Sequence, residues 1–218
     1  MRRRHLDAGP ALDRAPTTPE DLRTGLDARG RILEAGISMF ADKGYVATSV
    51  REIVLAAGVT KPVLYYYFGS KEGLFRDIVQ GAVQRQVEII EAMRRSEGTF
   101  PERLCNLFAA VMKDAQENRA LLGMIHGIIF GPKQGKPDYD FGVFHQRLAL
   151  AVKALYVEGV DQGEAGAADP EVVVQIILAL INHAIHLDFA FNGQTRPSLP
   201  LEMLRLALRG LIQGDDKK

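Results

Sequence analysis

The side chains best placed to do chemistry on a partner lie between residues 48 and 71. Thr60, Lys61, Tyr65 and Tyr66 fall on the outer side of a short segment whose other positions, Val59, Val63, Leu64 and Phe68, can pack inward. An ammonium at Lys61 can make a charge-assisted contact to a phosphate or a hydrogen bond to a base edge. Tyrosine hydroxyls at 65 and 66 can donate to phosphate oxygens, and their rings can lie on thymine methyls or sugars. Thr48 and Lys71 sit at the starts of the flanking helices, where backbone N–H groups favour the same anions. Tyr67 and Phe68 read as core. Together these residues describe DNA recognition by the N-terminal end of a helix.

Such side chains need a frame, and the surrounding sequence supplies one. Leu26, Leu33, Ile37 and Phe40 mark one face of a helix that starts near Leu22 and stops at Lys43-Gly44. Ser49-Val50-Arg51-Glu52 fits a capping box opening a short second helix, which Gly58 ends. Thr60 can cap a third helix with Pro62 in its first turn, and Ser70 a fourth, from Lys71 to about Arg95. Two short helices around Gly58 are the helix-turn-helix arrangement, whose second helix enters the DNA major groove. Further helices are expected near 101–117, 119–130, 139–160, 170–192 and 200–213, and strand signals are weak throughout. Residues 1–20 carry no apolar period and read as a mobile arm; Arg2-Arg3-Arg4 is either a solvated tail or a minor-groove contact.

The same residues resemble the TetR family of bacterial transcriptional regulators. The resemblance rests on Gly44-Tyr45, Thr48 to Ile53, Ala56 to Lys61, and Leu64 to Leu74, which reads Leu-Tyr-Tyr-Tyr-Phe-Gly-Ser-Lys-Glu-Gly-Leu. It runs from about residue 29 to 76, with Pro62 where many members have a small residue. It implies an all-α homodimer of about nine helices. A three-helix helix-turn-helix domain at 21–70 would follow the arm at 1–20, and a ligand-binding and dimerisation domain would occupy 71–218. It also implies DNA contacts at Thr48, Lys61, Tyr65, Tyr66 and Lys71, to which Thr60 is added from its exposed position.

Beyond residue 80 the family shares no motif, so the remainder is read from pattern. The segment 170–192 is apolar nearly all round, and a helix of that kind must be covered on most sides. With segment 200–213 it looks like the pair that builds the dimeric bundle in this family. Gln175, Leu178, Ile185, Leu201, Leu204, Leu208 and Leu211 are the expected dimerisation residues; closing the monomer's own core is the other reading. Gln175, Asn182 and His186 share one narrow sector and either hydrogen-bond across the dimer or line a cavity. The candidate ligand contacts are Phe108, Met112, Met124, His126, Phe130, Phe144, Tyr156, Asn182, His186 and Phe189, several of which also read as plain core. Helix 119–130 and the loop at 131–137 are expected to carry the coupling between the two modules.

Composition removes other classes. The chain has 218 residues, 47% hydrophobic and 25% charged, with 27 Lys+Arg against 27 Asp+Glu, which excludes a histone-like polycation. Its single cysteine, Cys105, can form neither an internal disulfide nor a cysteine zinc site, and a cytoplasmic location follows. Cys105 is flanked by Leu104, Leu107 and Phe108 and reads as an inert buried thiol. No run of about 18 apolar residues and no signal-peptide apolar core are read, so no membrane partner is expected. His183 and His186 share a helix face, but Asp188 points about 160° away from His186, so no metal is expected. No cofactor and no enzyme activity are expected, since GxSxG, Walker, GxGxxG and HExxH patterns are absent. The expected function is a DNA-binding regulator, a repressor released from a palindromic operator by a small molecule. A metal- or redox-responsive regulator of the same fold, or a DNA binder with no effector, are the alternatives.

Overall fold

The computed structural model describes residues 27–130, 137–191, 194 and 196–213, and within them nine α-helices and no strand. These are α1 (Ala28–Lys43), α2 (Val50–Ala56), α3 (Lys61–Phe68), α4 (Lys71–Arg95), α5 (Phe100–Glu117), α6 (Arg119–Phe130), α7 (Gly142–Asp161), α8 (Pro170–Ala190) and α9 (Leu199–Gln213). The all-α class is as expected. The arm at 1–20, the start near Leu22 and most of the 131–137 loop lie outside the described residues.

Local chemistry sets the ends of the first helices. The Asp27 carboxylate accepts the Gly30 N–H at 2.7 Å to open α1. The capping box at α2 is reciprocal: Ser49 Oγ accepts the Glu52 N–H at 3.2 Å, and Glu52 Oε2 accepts the Ser49 N–H at 2.9 Å. Gly58, at φ +62°, takes the left-handed turn that sends the chain from α2 into α3. Thr60 holds the cap position of α3 without a side-chain cap bond, while Ser70 Oγ accepts the Gly73 N–H at 2.9 Å to open α4.

The cap at α2 has a pH signature. The Lys43 ammonium, then the Ser49 N–H and hydroxyl, hold the Glu52 carboxyl down from 4.5 to about 2. A depressed carboxylate contributes stability that is full above pH 4.5 and is lost as pH falls toward 2. In Glu52→Gln, circular dichroism followed during acid titration therefore loses the part of the transition that falls in that window. Because Glu52 stands in solvent, the difference is small and shrinks in high salt.

Apolar side chains form two clusters. The first joins Ile32 and Phe40 of α1, Ile53 and Val54 of α2, Leu64 and Phe68 of α3, and Leu74, Phe75, Ile78 and Val79 of α4 with Leu121, Met124, Ile125 and Ile128 of α6. The second holds Met93, the inner faces of α5, α7 and α8, and Leu204 and Leu208 of α9. Packing therefore runs on past residue 70 along α4, and α6 rests on α1. The helix expected to carry the coupling is thus built into the core beneath the helix-turn-helix.

Contrary to the reading that no segment is long and apolar enough, α8 meets that test by length and composition. It is the core helix of the second cluster, burying Val173, Val174, Ile177, Leu178, Ile181 and Ala184 against α5, α7 and α9. It also carries a buried carboxylate, Asp188, paired with Arg119 at 3.0 Å.

Candidate functional site

The first cluster fixes α3 by its inner face. Leu64 is fully buried and Phe68 nearly so, with Val59 and Val63 half-buried. The opposite face is open: Thr60 and Lys61 are exposed, Tyr65 is 48% exposed and Tyr66 77%. Neither tyrosine hydroxyl has a protein hydrogen-bond partner among the described residues, so both are available to a ligand. Four of the six candidate DNA contacts thus share one outward surface at the start and middle of α3. This is the geometry a major-groove reader needs.

Thr48 and Lys71 are placed differently. Thr48 is 1% exposed, and its hydroxyl donates to the carbonyls of Met39 at 3.1 Å and Gly44 at 2.9 Å. Lys71 Nζ donates to the carbonyls of Tyr45 at 2.8 Å and Thr48 at 2.9 Å, and lies 4.3 Å from the Tyr45 ring centroid. Burial lowers the Lys71 pKa. The turn between α1 and α2 leaves carbonyls with no helical partner, and the long lysine stem at the first residue of α4 reaches them. The polar atoms of these two side chains hold the turn that seats α2, and a phosphate contact from either would have to compete with these bonds. Lys71→Ala lowers thermal stability by about 1–2 kcal/mol, the size of lost charge-assisted bonds discounted for partial exposure, as a melting curve would read.

The candidate ligand contacts do not converge on one cavity. Phe108, Met112 and Tyr156 are buried in the second cluster, Met124 is buried in the first, and Phe144 packs half-buried against the first. Tyr156 is a structural pin: its hydroxyl donates to the Gly166 carbonyl and accepts the Ala168 N–H, both at 2.8 Å. His126, Asn182 and His186 are exposed at the surface. His126 and His186 do meet, with ring centroids 6.2 Å apart, and His126 lies 6.2 Å from Phe189, on the outside between α6 and α8. The side chain of Phe130 lies outside the described residues. Met112 alone of the ten lines a described cavity, a small one of about 40 Å³. A larger, open cleft of about 640 Å³ lies elsewhere, between α5 and α9, lined by Glu102, Cys105 and Arg205.

The dimerisation residues are likewise divided. Leu178, Leu204 and Leu208 are at most 3% exposed within one protomer and belong to its own core. Ile185, Leu201 and Leu211 are half-buried, and Gln175 is exposed. On α8 and α9 the exposed large apolar side chains are instead Val172 at 54%, Ile176 at 42% and Leu206 at 68% exposure. Gln175, Asn182 and His186 share that outer side of α8, away from the core.

One pair is not legible in the sequence. Arg119, the first residue of α6, binds the Asp188 carboxylate at 3.0 Å and donates to its main-chain carbonyl at 2.8 Å, and the guanidinium lies 5.5 Å from the Phe189 ring centroid. It ties α6, and through α6 the first cluster, to α8.

With this geometry in view, the comparisons with known proteins are direct. Residues 32–78, which span the helix-turn-helix core, match the model of the bacterial regulatory proteins of the tetR family. The chain is 27% identical to the uncharacterized HTH-type transcriptional regulator YdgC of Bacillus subtilis, over 88% of this chain and 97% of that protein. It is 26% identical to the HTH-type transcriptional repressor KstR2 of Mycolicibacterium smegmatis, over 94% of this chain and 98% of that one. Among solved structures, the TetR family transcriptional regulator PfmR from Thermus thermophilus superposes with a TM-score of 0.67 at 26% identity, covering 88% of this chain and 100% of that one. The helix-turn-helix segment thus matches the tetR family of bacterial regulatory proteins, and along most of its length the chain is similar to HTH-type transcriptional regulators.

Proposed function

We propose that the chain is a cytoplasmic, sequence-specific repressor that binds a two-fold-symmetric operator as a homodimer and leaves it when a small molecule enters the C-terminal domain. The observation that carries the DNA reading is the outward face of α3, where Thr60, Lys61, Tyr65 and Tyr66 stand free on a buried scaffold. The open apolar surface of Val172, Ile176 and Leu206 supports a self-association face on α8 and α9, since exposed apolar patches of this kind mark interfaces. Release fits the position of α6, which packs on α1 and is held at its start by α8. The KstR2 relative is named a transcriptional repressor, which favours repression over activation.

Two recognition helices must meet sites about 34–36 Å apart, so a small rotation of either α3 weakens binding. Linkage then requires the effector to bind the DNA-free form more tightly, and DNA to weaken the effector. The test is selection of fragments of the organism's own genome on purified protein at near-physiological salt. A short palindromic site shared by the enriched fragments is the expected result. Uniform recovery, repeated after unfolding and refolding to strip any bound effector, would sink the reading.

A further inference from the structure

Asp188 is 8% exposed on a helix that is otherwise apolar where it is buried. Arg119 engages one carboxylate oxygen, Oδ2, and the main-chain carbonyl, and the second oxygen has no protein donor among the described residues. The same residue lines the cavity of about 40 Å³, with Met112, Ala184 and Pro200 as apolar walls and Gln116 and Arg196 beside them. A water needs about 10–15 Å³ of such space, so the cavity admits a group of a few heavy atoms. Arg196 is already neutralised by Glu202 at 2.6 Å, which leaves Asp188 as the acid open to exchange.

We propose that this cavity is a subsite for a protonated amine of the effector, which takes the Asp188 carboxylate from Arg119. The proposal rests on the effector reading of the C-terminal domain. The charge sign follows from burial. The Arg119 side chain is 32% exposed and can turn out into water, whereas that of Asp188 is 11% exposed and cannot. An entering cation leaves every buried charge paired. An entering anion on Arg119 would strand a buried carboxylate, which is strongly unfavourable. Losing Arg119 unties the first residue of α6 from α8, while Leu121, Met124 and Ile125 keep α6 on the first cluster.

The probe is n-butylammonium, with butyrate and 1-butanol as controls, titrated into the full chain without DNA and followed calorimetrically. The amine is expected to bind at least about tenfold more tightly than either control, and Asp188→Asn to lose about that factor, as removal of a charge-assisted contact does. Arg119→Gln removes the competitor and should bind the amine several-fold more tightly. Hydrogen exchange at α6 amides should quicken in the amine-saturated wild type and stay unchanged in butyrate. Equal binding of butyrate, or amine affinity untouched by Asp188→Asn or weakened by Arg119→Gln, would overturn the subsite. Unchanged α6 exchange in saturating amine would overturn the exchange with Arg119. If Asp188→Asn does not fold, the comparison of Arg119→Gln with wild type decides. None of these readouts involves DNA, so their failure leaves the operator reading standing, and failure of the fragment selection leaves the subsite standing.

Discussion

Gly73→Ala destabilises the chain by about 3 kcal/mol or more and dislodges α3, despite being a favourable exchange in most helices. A Cβ at residue 73 would lie 1.9 Å from the Phe68 carbonyl oxygen and 3.1 Å from its carbon. That carbonyl belongs to the last residue of α3 and is held by the Ser70 N–H at 2.7 Å. Both clashing partners are backbone, so no rotamer change relieves the overlap, and the α3–α4 turn must open. The control lies in the same helix. A Cβ at Gly81 meets nothing closer than an Arg85 guanidinium nitrogen at 3.8 Å, so Gly81→Ala is expected to be neutral or stabilising by up to about 1 kcal/mol. Thermal melts of the two variants check this, since about 3 kcal/mol corresponds to roughly 6–12 °C for a chain of this size. A Gly73→Ala protein that melts with the wild type would show that the turn is not as the structure has it.

Tyr65→Ala with Tyr66→Ala abolishes operator binding while leaving the fold in place. Both side chains are exposed, and the buried face of α3, Leu64 and Phe68, is untouched. Surface truncations of this kind change stability by about 0.5 kcal/mol or less each. Contacts to phosphate or base edges are worth about 1–3 kcal/mol apiece, so the double variant should lose at least about 100-fold in affinity. Fluorescence anisotropy on a fragment recovered by selection reads the loss, and circular dichroism guards the fold. Retained affinity with a normal spectrum would remove α3 from the DNA.

The helix-turn-helix is legible in the sequence because its signals are local. Caps, a positive-φ glycine and a short apolar period involve neighbours within four residues, and Ser49, Gly58 and Ser70 act in the structure as their types suggest. The bonds that Thr48 and Lys71 make within the protein are harder to read. The Thr48 hydroxyl folds back on the carbonyls of Met39 and Gly44 within the α1–α2 turn, and the partners of Lys71, the carbonyls of Tyr45 and Thr48, are set by tertiary placement of α4 beside that turn, which no spacing reveals. In α8, apolar residues on all sides erase the period that would tell core from surface. Leu178 therefore reads as outward although it is buried, and Val172 and Ile176 do not stand out although they are exposed. Arg119 and Asp188 are 69 residues apart, and nothing in either neighbourhood points to the other.

The central claim is that the free outer face of α3 meets DNA while Thr48 and Lys71 stand behind it holding the frame. The salt dependence of affinity for a recovered fragment tests it directly, comparing wild type, Lys61→Ala and Lys71→Ala. Each phosphate contact contributes about 0.9 to the slope of log K against log salt. Lys61 is exposed and its ammonium has no partner among the described residues, so Lys61→Ala should flatten the slope by about two for a dimer that loses one phosphate contact per protomer. Lys71→Ala should weaken binding by loosening the frame and leave the slope unchanged. A slope flattened by Lys71→Ala and untouched by Lys61→Ala would contradict the account, putting the Lys71 ammonium on the DNA backbone and the start of α3 away from it.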